Sequence, residues 1–154
     1  MAADTELGAQ VAGFADKVIP FSVFMEKLGE LSQCFEPSMT KVTYHAPCHL
    51  CRGLGVIEAP RRLIQIAGYE FVPAEEEQTC CGFGGTYSSK FPEISAQILN
   101  KKLDDFGKTG AEILATECPG CVMQLRGGAK TRKEDFEVMH LAELMMRNKK
   151  LKDK

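Results

Sequence analysis

The chain has 154 residues, a net charge of −2 and seven cysteines. A single domain of this length buries roughly 70% of its unfolded surface, so disulfide bonds are not needed for stability. The slightly negative net charge argues against a nucleic-acid partner. No run of about 18 apolar residues predicts a transmembrane segment, and no secretory signal is recognisable. We therefore expect a cytoplasmic location, in which the thiols stay reduced.

The first part of the chain predicts helices. Apolar residues recur at helical spacing over residues 5–33, and Pro20 divides this stretch into two helices. We expect Asp4 or Thr5 to cap the first helix and Ser22 to cap the second. A helical start without a strand is unusual for the kind of domain that follows.

We therefore predict a division of the chain into two parts. Residues 1–40 form an N-terminal helical segment and linker, interpreted as the remnant of a longer protein's preceding domain. Residues 41–154 form a cysteine-rich domain with its own fold.

Strand and helix patterns alternate from residue 41 onward. The predicted strands cover 41–46, 69–73, 111–116 and 136–139, and the predicted helices cover 57–67, 92–107, 119–129 and 141–148. Such alternation is typical of βαβ units. We predict an α/β fold in which a small parallel sheet of about four strands has helices on both faces.

Five cysteines fall near the ends of the predicted strands. Cys48 follows the first strand, Cys80 and Cys81 lie on the connection after the second, and Cys118 lies two residues past the third. The carboxyl ends of parallel strands share one edge of the sheet, where open α/β folds bind ligands. We expect these thiols and that of Cys121 to meet at this edge.

The spacing of these cysteines points to a metal centre with several metal atoms. The pattern is Cys48-x31-Cys80-Cys81-x36-Cys118-x2-Cys121. A disulfide between neighbouring cysteines is strained, whereas their sulfurs can bind different metal atoms, and iron–sulfur clusters take cysteine ligands. Cys118 and Pro119 also open a predicted helix, whose N-terminus stabilises an anionic group.

Three glycines follow the vicinal cysteines. Gly82, Gly84 and Gly85 would let the backbone approach a bulky inorganic ligand. The stretch does not match a dinucleotide-binding fingerprint, because Tyr87 occupies the third glycine position and no strand leads directly into it.

Two other uses of the cysteines remain open. Zinc could use the pairs Cys48/Cys51 and Cys118/Cys121, but 66 residues lie between Cys51 and Cys118, against roughly 15–20 in typical paired sites. A closed zinc site also takes only four ligands. A thioredoxin-like dithiol at Cys118 and Cys121 is the second alternative.

Several polar residues lie near these motifs. His45 and His49 flank Cys48, and we interpret them either as hydrogen-bond donors or proton carriers beside a cluster or as loop residues with partners of their own. Arg52 could screen the charge of a cluster. We interpret the acidic run Glu75–Glu77 as a solvated turn or a docking surface, His140 as structural and Cys34 as a bystander.

Three segments closely resemble the CCG cysteine-rich domain: residues 44–50 (YHAPCHL), 80–85 (CCGFGG) and 118–121 (CPGC). This family occurs in heterodisulfide reductases and in iron–sulfur subunits of glycolate, lactate and anaerobic glycerol-3-phosphate dehydrogenases. The resemblance covers about residues 41–146. It implies a [4Fe-4S] cluster, non-cubane in heterodisulfide reductases, whose ligands here would be Cys48, Cys80, Cys81, Cys118 and Cys121. Cys51 is outside this set because the family tolerates other residues there.

The resemblance implies an electron-transfer module between a flavoprotein dehydrogenase partner and a quinone or disulfide acceptor. Family members usually carry two such domains, so we expect a piece or subunit of a longer Fe–S oxidoreductase, cytoplasmic or peripheral to the inner membrane through its partners. Direct reduction of a disulfide at the cluster and a zinc-stabilised interaction domain remain open. The sequence shows no acid–base pair or nucleophile triad for an organic substrate.

Overall fold

A four-stranded parallel sheet forms the centre of the molecule. The computed structural model describes residues 6–15, 17–29 and 31–150. The strands are β1 (Lys41–His45), β2 (Glu70–Phe71), β3 (Ile113–Thr116) and β4 (Glu137–His140). They pair in the order β2-β1-β3-β4, and every pair is parallel. The predicted α/β fold with a parallel sheet of four strands is confirmed.

Helices cover both faces of this sheet. On one face, Ile113 and Ala115 of β3 share a core with α3 (Glu58–Ile66) and α7 (Leu141–Arg147). On the other face, Leu114 shares a core with α5 (Pro92–Gly107) and α6 (Pro119–Arg132). The alternation follows from the two-residue period of a strand, so four short strands support two separate hydrophobic cores.

The N-terminal segment contains the two expected helices, α1 (Glu6–Ala15) and α2 (Phe21–Lys27). Asp4 and Thr5 lie outside the described residues. The predicted cap at Ser22 is wrong, because Pro20 takes the N-cap position and Ser22 is a buried residue within the helix. The carboxylate of Glu117 accepts a hydrogen bond from the Ser22 N–H at 2.8 Å. A residue that is distant in the chain, Glu117, thus accepts the hydrogen bond of a free N–H group at the start of α2, a role that a capping side chain usually has.

The helix α2 packs against the domain that follows it. Phe21 and Met25 contact the core on the α3 side of the sheet, and Glu26 forms an ion pair with Arg62. The helix α1 differs, since its apolar residues Leu7, Val11 and Phe14 are exposed. The division of the chain at residue 40 stays a prediction.

Several short elements were not predicted. A 3₁₀ turn spans Ser32–Cys34, a π-helical turn spans His49–Gly53, and α4 covers Tyr87–Lys90. The strand β2 is much shorter than expected, because it lies at the sheet edge and pairs only with β1. Among the described helices, none has the length and apolar character needed to cross a membrane.

The helix α6 contains two consecutive glycines, Gly127 and Gly128, which have low helix propensity. An added Cβ at Gly128 would lie 2.7 Å from the Leu99 side chain and 3.0 Å from that of Leu103, both on α5. Gly127 has no atom within 4 Å of such a Cβ. Gly128 therefore allows α5 and α6 to pack closely, and this packing offsets the low helix propensity of glycine.

These two glycines provide a matched test. Gly127→Ala should stabilise the chain by up to about 1 kcal/mol, because alanine is the better helix former and the site is open. Gly128→Ala should destabilise it by about 1–2 kcal/mol, because Leu99 and Leu103 must move. Urea denaturation of the two variants measures both effects. Equal stabilities would show that α5 and α6 tolerate a wider separation.

Candidate metal centre

A cavity of about 180 Å³ lies at the carboxyl edge of the sheet. All five predicted thiols line it, together with two histidines, Phe83 and two glycines. The complete lining is His45, Cys48, His49, Cys80, Cys81, Phe83, Gly84, Gly85, Cys118 and Cys121. The structure thus brings the five cysteines to one place, while their assignment as ligands stays a prediction.

Separate elements deliver the thiols to this cavity. Cys48 lies three residues past β1, and Cys80 and Cys81 lie between β2 and α4. Cys118 is the N-cap residue of α6, with Pro119 in the first turn and Cys121 one turn further on. Cys81 and Cys121 are buried, whereas Cys48 is exposed. The cavity therefore extends from buried thiols to a side that faces solvent.

The sulfurs of the two buried cavity cysteines lie close to each other. Cys81 Sγ and Cys121 Sγ lie 3.4 Å apart. Hydrogen bonding by Cys121 lowers the pKa of the Cys81 thiol despite its burial, and His45 assists. The pKa of Cys121 is raised in turn by the adjacent Cys81 sulfur and by burial. The hydrogen bond between the two thiols therefore favours the thiolate at Cys81, which is the form of cysteine that binds metals.

His45 is the last residue of β1, and its side chain is 1% exposed. One ring nitrogen lies within 4.8 Å of the sulfurs of Cys81 and Cys121. Neither ring nitrogen forms a hydrogen bond of regular geometry, and His45 lies at the end of a strand beside the Cys81 thiol, while its role stays a prediction. Burial lowers the pKa of His45, outweighing the attraction of Cys81. A neutral imidazole with free nitrogens is suited to bind a metal or to donate a hydrogen bond to a sulfur.

The other candidate residues near Cys48, namely His49, Arg52 and Cys51, differ in their position relative to the cavity. His49 lines the cavity and is exposed. Arg52 is outside the lining, and its Nη2 donates to the Gln78 carbonyl at 3.2 Å, on the segment before Cys80. Cys51 is buried beneath the site, with Sγ 3.9 Å from the carbonyl oxygens of Ala46 and Cys48. The thiol of Cys51 therefore does not line the cavity.

The glycine loop adopts a backbone that other residues rarely take. Gly82, Gly84 and Gly85 have φ values of 86°, 51° and 61°. The Gly82 N–H points to Cys80 Sγ at 3.3 Å, and the Gly82 carbonyl accepts a hydrogen bond from Ser95 Oγ at 2.8 Å. These glycines therefore shape the cavity wall, and the loop supplies an N–H donor to a sulfur.

The acidic run before Cys80 forms a turn, as expected, in which Glu75 is exposed but Glu77 is buried. Glu77 is 4% exposed, and both of its oxygens accept hydrogen bonds from Arg61, at 3.1 and 2.9 Å. Sequence reasoning also missed Lys102, which is buried on α5 and binds the same loop. A signal for Lys102 was available, since it lies between Leu99 and Phe106 on the apolar stripe of its helix.

Oxidation of the metal-free chain should join Cys81 to Cys121. A disulfide needs a sulfur separation of about 2.05 Å, so the 3.4 Å gap closes with a small movement. Treatment with hydrogen peroxide, alkylation of the remaining thiols and peptide mass spectrometry should detect this pair. The buried thiol of Cys51 is the internal control and should be recovered unpaired. A disulfide from Cys81 to any other cysteine would contradict the observed arrangement.

A parallel α/β sheet with five thiols around one cavity defines the class: a cysteine-rich α/β domain with a candidate metal centre. The chain belongs to the CCG cysteine-rich domain family, whose model matches residues 42–126. It is also similar to several proteins named lactate utilization protein A. Identity is 36% over 132 residues with the protein of Bacillus licheniformis, 34% over 132 residues with that of Bacillus subtilis and 41% over 106 residues with that of Oceanobacillus iheyensis.

The matches cover most of this chain but much less of the relatives. In the two Bacillus proteins the match spans 85% of this chain and 56% of the relative, and in the Oceanobacillus protein 68% and 43%. The chain thus spans about half the length of the relatives that it matches.

Proposed function

We propose that the chain is an electron-transfer module of an iron–sulfur oxidoreductase. The observation that supports this most strongly is the convergence of Cys48, Cys80, Cys81, Cys118 and Cys121 on one cavity. Five thiols around one space fit a [4Fe-4S] cluster, of cubane or non-cubane form, better than a single metal ion with four ligands. Such a cluster would supply one-electron redox chemistry.

The surrounding residues would hold and tune this centre. The Gly82 N–H would remain a donor to Cys80, and the N-terminus of α6 would stabilise negative charge at Cys118. The free ring nitrogens of His45 provide a buried donor or ligand beside Cys81. Phe83 and the glycine loop form part of the cavity wall beside the buried thiols.

The relatives' name indicates the metabolic setting. Lactate utilization protein A is named for lactate, so we propose that the whole protein serves the oxidation of lactate or a similar 2-hydroxy acid. Electrons would come from a flavoprotein dehydrogenase subunit or from further domains of a longer Fe–S oxidoreductase. They would pass to a quinone or a disulfide acceptor. We propose that the protein works in the cytoplasm, or at the inner-membrane surface through its partners.

A second function, the direct reduction of a disulfide, is favoured by the open side of the cavity. Cys48 and His49 line the cavity and are exposed, so a substrate sulfur could reach the site beside them. A loaded and chemically reduced chain should then release thiols from a small organic disulfide. A chain that serves only as an electron relay should not.

Zinc is the competing occupant, favoured by the short separations among His45, Cys81 and Cys121, whose ligand atoms lie within 4.8 Å of one another. These three residues would leave an open fourth position, as in catalytic zinc sites. Analysis of iron, acid-labile sulfide and zinc after anaerobic purification separates the proposals. Iron and sulfide in equal amounts would support the cluster, and zinc without sulfide would overturn it.

A further inference from the structure

Lys102 is a buried cation that binds the loop leading into Cys80 and Cys81. Its side chain is 2% exposed, and the ammonium group donates to the Glu76 carbonyl and, at 3.1 Å, to Thr79 Oγ1. The Nζ atom lies 4.8 Å from the centre of the Phe106 ring. That ring in turn lies edge-on to His45 at 6.3 Å. Lys102 is therefore fixed beside the wall of the thiol cavity.

Residues of two helices, α5 and α3, bind the loop that precedes Cys80. Asp105, one turn after Lys102 on α5, accepts a hydrogen bond from the Glu76 N–H at 2.9 Å. Both backbone groups of Glu76 are thus bound by α5, while Arg61 of α3 binds the carboxylate of Glu77. Rigid helices, rather than the loop's own propensities, place the residues that precede Cys80.

Lys102 forms no ion pair with a carboxylate of the described residues, although three acidic side chains lie in its neighbourhood. Burial lowers the pKa of its ammonium group to about 8, although Asp105, Glu77, Glu76 and Cys81 partly compensate. A buried charge without a close partner is costly. Negative charge on the nearby thiols would reduce this cost.

We infer that Lys102 is a positioning residue for the metal centre, which holds the Cys80–Cys81 segment in place and supplies positive charge opposite the thiolates. This inference rests on the proposed iron–sulfur function. The hydrogen bond to Glu76 sets the loop position, so its loss should weaken metal retention. The charge favours the reduced, more negative state of the centre, so its loss should lower the reduction potential.

Two substitutions separate these roles in the anaerobically loaded full chain. Lys102→Met removes both the charge and the donor, and we expect iron retention against a chelator to fall on the order of tenfold, as for outer-shell partners of metal sites. Lys102→Gln keeps a donor but loses the charge, so it should retain more iron than Lys102→Met. Both variants should show a more negative reduction potential in a redox titration followed by electron paramagnetic resonance.

Lys101 is the matched control, because it is the exposed neighbour on the same helix. Lys101→Met and Lys101→Gln remove the same charge and should leave both readouts unchanged. If Lys102→Met does not fold by circular dichroism, the potential of Lys102→Gln still decides the inference. Equal potentials for Lys102→Gln, Lys101→Gln and wild type would overturn it. A wild-type chain without iron and sulfide would instead overturn the proposed function, and the role of Lys102 with it.

Discussion

Replacing Cys81 with serine should remove most of the iron that the chain retains. Cys81 is 3% exposed, lines the cavity and lies 3.4 Å from the Cys121 sulfur. A serine hydroxyl at this buried position cannot replace a thiolate ligand. We expect the loss to exceed the roughly 10–100-fold drop in affinity that follows the loss of an outer-shell partner. Iron and acid-labile sulfide per chain after anaerobic reconstitution measure the effect.

Cys51→Ser is the matched control for this prediction. Cys51 is also buried, but its sulfur faces the carbonyl oxygens of Ala46 and Cys48 and does not line the cavity. The control should therefore retain nearly all of its iron. Equal losses from Cys81→Ser and Cys51→Ser would refute the ligand assignment, and so would full retention in both variants.

The second large effect is expected from Gly82→Ala, which should destabilise the chain by about 3 kcal/mol. Gly82 has a φ of 86°, and an added Cβ would lie 2.6 Å from the backbone oxygen of Ser95. Neither the loop nor the start of α5 can relieve this contact without moving. Because Gly82 follows Cys81 directly, the movement should also reduce iron retention.

Gly85→Ala is the control that separates the cost of backbone strain from the cost of the contact between the added Cβ and Ser95. Gly85 has a φ of 61°, but no atom lies within 4 Å of its added Cβ. This control should lose only about 1 kcal/mol, the cost of a left-handed backbone at alanine. Urea denaturation of the metal-free variants gives both values. If the two variants lose equal stability, contact with Ser95 does not limit the position of Gly82.

Much of the fold was predictable because local signals and tertiary contacts agree. The helix α5 begins at Pro92 and ends at Gly107, as its apolar spacing and its boundary residues indicate. The strands alternate with helices, which requires a parallel sheet. The cysteine positions followed from this topology, since parallel strands end at one edge.

The errors occurred where distant residues determine the local structure. Serine is a common N-cap residue, but at Ser22 the backbone N–H donates to the carboxylate of Glu117, which is 95 residues away in the chain. Glu77 lies in an acidic run that suggests exposure, yet Arg61 pairs with it and allows its burial. Periodicity and residue type cannot reveal these partners, because each depends on a tertiary contact.

The pairing of β1 with β3 has a consequence for the timing of metal insertion. His45 and Thr116 are partners across the sheet, although 70 residues separate them in the chain. Pairing two strands that are this far apart in the chain carries an entropic cost of loop closure, which the contacts between the strands must offset. Cys48 and Cys118 lie shortly after these strand ends, and Cys118 and Cys121 at the start of α6 line the cavity, so a nascent chain that stops before α6 lacks a complete cavity. A centre that used all five thiols would therefore be completed only after α6 has been synthesised.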